Sequence, residues 1–223
     1  MTLGQYSEIY RINNLQIDEL DKVALSVCYY YGLTHEHVNL MEPKKFLKLS
    51  KRLLKDFDVK RPLLNRNRFH KDAKGITWGM MVELFTWMTI KDNEVFEEVY
   101  VREIHKIAAT ILKKRKGHRE QSLKLLELKA NKVLFDVKDF IATYNTLLNK
   151  FPFLFERKEG DGTNPDFDHY FVKRFGWLYA TKTIAEHEGI ELKDAYRLPA
   201  TQALNDLVYL KAKQDYDKQL MKK

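Results

Sequence analysis

A chain of 223 residues, 44% hydrophobic and 31% charged, is long enough for one large or two small domains and too apolar to default to disorder. Its single cysteine, Cys28, excludes an intrachain disulfide framework and, lying in an apolar run, reads as a small buried hydrophobe in a reducing compartment. The formal net charge of +8 argues against anionic partners being repelled and points to acidic ones, of which nucleic acid is the commonest.

The chain opens on Thr2-Leu3-Gly4-Gln5, which has the form of a capping box and predicts a short helix to about Ile12. This start lacks the basic region and apolar core of a signal peptide, and no stretch reaches the ~18 uncharged residues of a membrane span. The expected setting is the cytoplasm, or a particle assembled there, with no membrane partner. Asp18 to Tyr31 carries Leu20, Val23, Ala24, Val27, Tyr30 and Tyr31 at helical spacing until Gly32, a C-cap residue. Thr34 caps a one-turn piece through Leu40. Glu42-Pro43 opens the next helix, with Phe46, Leu47, Leu49, Leu53 and Leu54 as the expected buried stripe and Lys44, Lys45, Lys48, Lys51, Arg52 and Lys55 on the other face.

Twelve Lys and Arg but only three acids fall between Lys44 and Lys74, so one segment carries the whole basic excess. Residues 60–75 hold Pro62, two Asn and few core residues, the pattern of a long basic connection. Beyond it, helices are expected from Thr77 to Thr89, Asn93 to Lys116, Arg119 to Leu134 and Val137 to Asn149, the last two divided near Asp136. Pro152 biases Phe151 away from the helical region, so Phe151-Pro152-Phe153-Leu154-Phe155 is expected as an aromatic plug or short extended piece. Asn164-Pro165-Asp166 starts a helix that should reach Glu188 and stop at Gly189. A last helix runs from Pro199 to about Leu220. The fold class is therefore all-α, a multi-helix bundle-like body with orthogonal packing, either whole or divided into an N-terminal sub-domain (1–59), the connection (60–75) and a main domain (76–223).

Two internal echoes stand out. Thr2-Leu3-Gly4-Gln5-Tyr6-Ser7-Glu8-Ile9 and Thr77-Trp78-Gly79-Met80-Met81-Val82-Glu83-Leu84 share T-x-G-x-x-x-E-[IL], each ahead of an acidic turn and a long apolar helix. Gly32-Leu33-Thr34 and Gly189-Ile190-Glu191 each lead through one helical turn to a proline and another helix. Repetition of one helical unit and chance recurrence of common punctuation both remain open, while the lack of three regular copies argues against a solenoid.

These pieces, with Phe175-Gly176-Trp177-Leu178, Glu186-His187-Glu188-Gly189-Ile190, Ala203-Leu204 and Leu207-Val208-Tyr209-Leu210, resemble small helical proteins encoded among the structural genes of tailed bacteriophages, notably the crAss-like phages. The resemblance covers both ends and part of the middle, about half the chain. It implies a virion or assembly role: a ring or adaptor around the portal and tail, a packaged internal protein, or a tail assembly chaperone. Partners would be other phage structural proteins or further copies of the chain. It supplies no catalytic residues.

Candidate sites follow from residue type and spacing. In His35-Glu36-His37 the two histidines are two apart and leave a helix on different sides, unlike the i, i+4 pair of a metal helix. Asp161, Asn164, Asp166 and Asp168 are interrupted by Pro165 and Phe167 and suit a helix start better than a calcium loop. Glu97-Glu98 and the pair Glu186/Glu188 are assigned to solvent. No phosphate-loop, dinucleotide, nucleophile-elbow or paired-cysteine motif occurs, so no cofactor, no metal and no enzyme activity are expected. The expected contacts to nucleic acid or to an acidic protein are Arg61, Arg66, Arg68 and Lys71 in the connection and Lys113, Lys114, Arg115 and Lys116 at a helix end. Phe151, Phe153, Phe155, Tyr29 and Tyr30 are the expected protein interface. The leading expectation is a non-enzymatic virion component that works by multimeric packing. A chaperone absent from the finished particle and a basic DNA-binding protein are the alternatives.

Overall fold

The computed structural model describes residues 1–60, 69–70, 73–89, 96–113, 118–155 and 165–221. Among them the helices are, in chain order, α1 (Leu3–Asn13), α2 (Glu19–Tyr31), α3 (His35–Asn39), α4 (Pro43–Phe57), α5 (Trp78–Trp87), α6 (Phe96–Thr110), α7 (His118–Leu126), α8 (Leu134–Leu148), α9 (Pro152–Phe155), α10 (Pro165–Glu188), α11 (Leu192–Ala195) and α12 (Ala200–Leu220). The fold is all-α, and β pairing among the described residues is confined to three isolated bridges. Helix contacts divide the chain into two compact units, each discontinuous: Met1–Phe69 with Trp87–Lys138, and His70–Thr86 with Asp139–Lys223. A division is thus present, but it does not follow a single boundary over 60–75, because helices from beyond that connection return to pack with the first ones.

In the first unit, α1 begins with the expected capping box. Thr2 Oγ1 accepts from the Gln5 amide at 3.2 Å and Gln5 Oε1 accepts from the Thr2 amide at 3.0 Å. Asp18 caps α2, Gly32 ends it in the left-handed region (φ 65°) and Thr34 caps α3, as the residue types demand. Ile9, Val27, Val38 and Leu53 form a buried cluster, with Phe46, Leu49, Tyr30 and Tyr31 packed on it. Leu47 and Leu54, expected in that stripe, are instead 54% and 61% exposed. The inward face runs Phe46, Leu49–Ser50, Leu53, Phe57, and Ser50 keeps its place there by donating to the Phe46 carbonyl at 3.0 Å. Helix α6 stops at Thr110 rather than Lys116, because Leu112 forms an antiparallel bridge with Phe69. The next break also moves: α7 ends at Leu126 and α8 starts at Leu134, with Asp136 in its first turn. The cause is tertiary. Leu3 N–H donates to the Leu128 carbonyl at 2.7 Å and Ala130 N–H to the Met1 carbonyl at 3.2 Å, so pairing with the N-terminus replaces the helical hydrogen bonds of this stretch.

In the second unit, fully buried Trp78 donates its indole N–H to Thr181 Oγ1 at 2.9 Å. Its ring meets that of Trp177 edge-on at 5.7 Å, and Phe85 stacks on Trp177 at 4.3 Å. Ile184, Ala195, Ala200, Ala203 and Leu204 complete the interior. Gly189 (φ 68°) ends α10, α11 supplies the bridging turn and α12 follows Pro199. The aromatic stretch is not extended: Pro152 occupies the first position of the one-turn α9, and Phe151 stays outside it, which satisfies the constraint on residues before proline.

Both echoes are structural. Thr2 bridges to Lys129 and Thr77 to Pro199. Trp78 N–H donates to the Leu198 carbonyl at 2.8 Å and Ala200 N–H to the Ile76 carbonyl at 3.1 Å, repeating bond for bond the pairing of Leu3 and Ala130. A Cβ on Gly4 would lie 3.3 Å from the Leu126 carbonyl oxygen, and one on Gly79 3.0 Å from that of Tyr196, so the shared glycine permits this approach. The partner segments, Leu128-Lys129-Ala130-Asn131-Lys132-Val133-Leu134 and Leu198-Pro199-Ala200-Thr201-Gln202-Ala203-Leu204, recur as L-x-A-x-x-[VA]-L, a match that sequence reasoning missed.

Candidate functional site

Two open grooves, one in each unit, are the candidate sites. That of the second unit, about 470 Å³, lies between α10 and α12 beside α9. Trp177 and Ala180 of α10 face Leu204, Leu207 and Leu210 of α12, with Trp78 at the base and Leu154 at one end. The walls are apolar because the i, i+3 and i+6 positions of α12 are leucines. Lys211 sits at the rim, its Nζ 4.6 Å from the centre of the Phe153 ring and bonded to the Phe153 carbonyl. Phe153 is 37% exposed.

The groove of the first unit, about 520 Å³, lies between α1 and α6. Ser7, Tyr10 and Arg11 line one wall, and Glu98, Val101, Arg102 and His105 the other. Ser7 Oγ donates to the Val101 carbonyl at 3.1 Å, joining the two helices. Glu8 takes Arg11 Nε at 3.0 Å, and this hydrogen bond holds its carboxyl below the ordinary value. Charged and hydroxyl-bearing residues are more numerous along this groove than along the other, although the surface of both is mostly apolar.

The expected interface residues separate. Tyr29 is half exposed at the edge of the α1–α6 groove. Tyr30 turns inward and donates to Asp56 Oδ2 at 2.8 Å. Desolvation first, and that hydrogen bond second, push its hydroxyl up to about 12, so it belongs to the interior of its unit. Phe151 is half-buried, Phe153 borders the apolar groove, and the side chain of Phe155 lies outside the described residues. Of the expected basic contacts, Lys113 is exposed just past α6, while Arg61, Arg66, Arg68, Lys71, Lys114, Arg115 and Lys116 lie outside the described residues. The basic face of α4 is present as read: Lys44, Lys45, Lys48, Lys51, Arg52 and Lys55 are all exposed.

His35 and His37 are exposed on α3, where His37 Nδ1 is 2.6 Å from Thr34 Oγ1 within the cap. Asp161 and Asn164, and the side chains of Asp166 and Asp168, lie outside the described residues. Sequence reasoning missed one cluster. His187 and Glu188 at the end of α10 approach Asp206 of α12, with one ligand atom of each within 4.8 Å of the others. Glu188 also accepts from Gln202 Nε2 at 3.4 Å. Burial, and then the neighbouring Glu188, raise the Asp206 carboxyl above its ordinary value. Residues on different helices at no periodic spacing leave no sequence signal for such a cluster. Among the described residues no helix is long and apolar enough to cross a membrane. Comparison with protein-family models, curated proteins and solved structures finds no match for the chain.

Proposed function

We propose that this chain is a non-enzymatic structural component of a tailed-bacteriophage particle, a ring or adaptor near the portal and tail or a packaged internal protein, that acts by packing against other protein surfaces. The carrying observation is the apolar groove between α10 and α12, where Leu207, Leu210 and Trp177 line a cleft reached by solvent, beside Tyr179 and Tyr209, 61% and 55% exposed. Aromatic and aliphatic anchors gathered around a cleft are what protein interfaces bury at their centre. The phage setting is drawn from the sequence resemblance, and the basic face of α4 supports a neighbouring acidic protein or packaged DNA. A second reading, a tail assembly chaperone, draws on the same groove, since a single apolar cleft suits capture of one amphipathic helix.

Mass spectrometry of purified virions from the phage that encodes the chain, scaled to the major capsid protein, tests the proposal. A fixed copy number per particle supports a virion component. Presence in infected cells together with absence from mature particles refutes it in favour of the chaperone.

A further inference from the structure

The lysines of α4 break local rules that other helices of the same unit keep. A helix favours acids in its first turn, because the unpaired N–H groups there leave its start positive. In α4 the first turn holds Lys44 and Lys45 after Pro43 and no acid, and Glu42 before them makes no capping hydrogen bond. Further along, Lys44 and Lys48, Lys48 and Arg52, and Lys51 and Lys55 stand four residues apart, the spacing at which like charges face each other and destabilise a helix. The one acid inside the helix, Asp56, is engaged by the Tyr30 hydroxyl at 2.8 Å.

Cations on neighbouring helices are matched locally: Arg11 with Glu8, Lys22 with Glu19, Lys106 with Glu103 and Lys124 with Glu120. By contrast Lys44, Lys45, Lys48, Lys51, Arg52 and Lys55 are all exposed, and none forms an ion pair among the described residues. Uncompensated cations so crowded weaken the helix that carries them, and a local rule broken without a structural gain marks a functional surface.

The helical period gathers Lys44, Lys48, Lys51 and Lys55 into one stripe, with Lys45 and Arg52 along one edge and Leu47 and Leu54 along the other. At ~1.5 Å per residue the stripe runs about 16 Å, and each strand of a duplex presents a phosphate every ~3.4 Å of axis. We propose that this stripe binds the phosphate backbone of nucleic acid without base-sequence preference. Five of its six cations are lysines, point charges on flexible stems that suit a row of phosphates and that the centres of protein interfaces exclude. Apart from Arg52, the exposed positions of α4 hold only Lys, Leu and Pro, so no Asn, Gln, Ser or Thr is there to read base edges. An acidic protein or an anionic membrane would also cover Leu47 and Leu54, whereas phosphate contact leaves these edge positions alone.

The inference deepens the particle reading above, choosing nucleic acid of the two partners named there for the α4 face. The test is binding of the purified full chain to a labelled duplex of unrelated sequence across a salt series, alongside thermal melts. The unaltered chain is expected to bind and to lose affinity steeply as salt is added. Lys44→Glu with Lys45→Glu is expected to lower affinity roughly tenfold or more while raising the melting temperature, because acids then occupy the first turn. A damaged fold would lower both readings, so their opposite movement marks a binding surface. Lys48→Gln with Lys55→Gln leaves the first turn alone, is expected to lose affinity as well, and decides the matter where the first variant melts lower. Leu47→Ser with Leu54→Ser is expected to bind the duplex as the unaltered chain does. Duplex binding that is absent or insensitive to salt, or full affinity in the lysine variants, overturns the proposal. Binding to phosphatidylserine vesicles or to polyglutamate without binding to the duplex overturns it too, in favour of a membrane or an acidic protein. The copy number in virions is untouched by any of these results, so failure here and failure of the particle reading are told apart.

Discussion

Gly79 has to admit the Tyr196 carbonyl from two directions. Its own N–H donates to that oxygen at 2.9 Å, and a Cβ would stand 3.0 Å from the same atom. Alanine in a helix ordinarily gains up to about 1 kcal/mol over glycine, but here the obstructing atom is backbone fixed by the bridge of Thr77 to Pro199. Gly79→Ala is expected to destabilise by about 1–3 kcal/mol, the usual cost of overpacking, whereas Gly4→Ala, with 3.3 Å to the Leu126 oxygen, should cost less. Thermal melts of both variants check the order, and an unchanged Gly79→Ala melt would count against the bridge. Asp206 carries a second prediction at this scale. Burial and Glu188 raise its carboxyl, so the folded chain holds this proton more tightly than the unfolded chain. Stability from this group is therefore full below the ordinary aspartate range and is lost as pH rises through the raised value. Asp206→Asn should melt above the unaltered chain near neutral pH, with the gap closing in acid. A gap independent of pH would show that the carboxyl's ionisation is not its cause.

At the scale of elements, α4 shows how much a helical sequence reveals. The alternation of cations with apolar residues fixed which face meets water, and all six basic side chains are exposed as read. Leu47 and Leu54 were misplaced because each lies one position outside the Phe46–Leu49–Leu53 arc, a phase that only the docked partner helix settles. Caps were equally legible: Thr2, Gly32, Thr34 and Gly189 act locally, through bonds to residues three to five positions away. The ends of α6 and α7 were not, since Phe69 and Met1–Leu3 decide them from far along the chain. If the α4 face meets DNA, its contacts are to phosphates and carry no sequence preference. Replacing Lys44, Lys48, Lys51 and Lys55 with Gln should then weaken binding uniformly across sequences and flatten its dependence on salt by about one unit of slope per lost contact. Retained affinity and slope, measured by fluorescence anisotropy on unrelated duplexes, would turn the face over to an acidic protein.

The whole molecule is organised by two clamps, each joining a T-x-G helix start to an L-x-A segment more than a hundred residues away. Sequence showed one side of this arrangement, the T-x-G echo. The other side stayed hidden because Leu128–Ala130 and Leu198–Ala200 share only short apolar residues with no periodic mark. Neither groove was legible either, because each is lined by residues from helices far apart in the chain. The clamps also carry a dynamic consequence. Backbone bonds between remote segments cannot open by fraying of one helix, because both partners are held by buried neighbours: Leu3 and Ala130 in one unit, Trp78 and Ala200 in the other, none more than 1% exposed. They should open only when their unit unfolds cooperatively. The amides of Leu3 and Ala130, and those of Trp78, Gly79 and Ala200, are thus expected in the slowest hydrogen-exchange class of their units, even though Leu3 and Trp78 occupy first-turn positions where amides usually exchange fast. Two distinct slow rates would mean that the units unfold separately, and one shared rate that they unfold together. Fast exchange at Leu3 and Trp78 would show that the clamps do not hold the helix starts in solution.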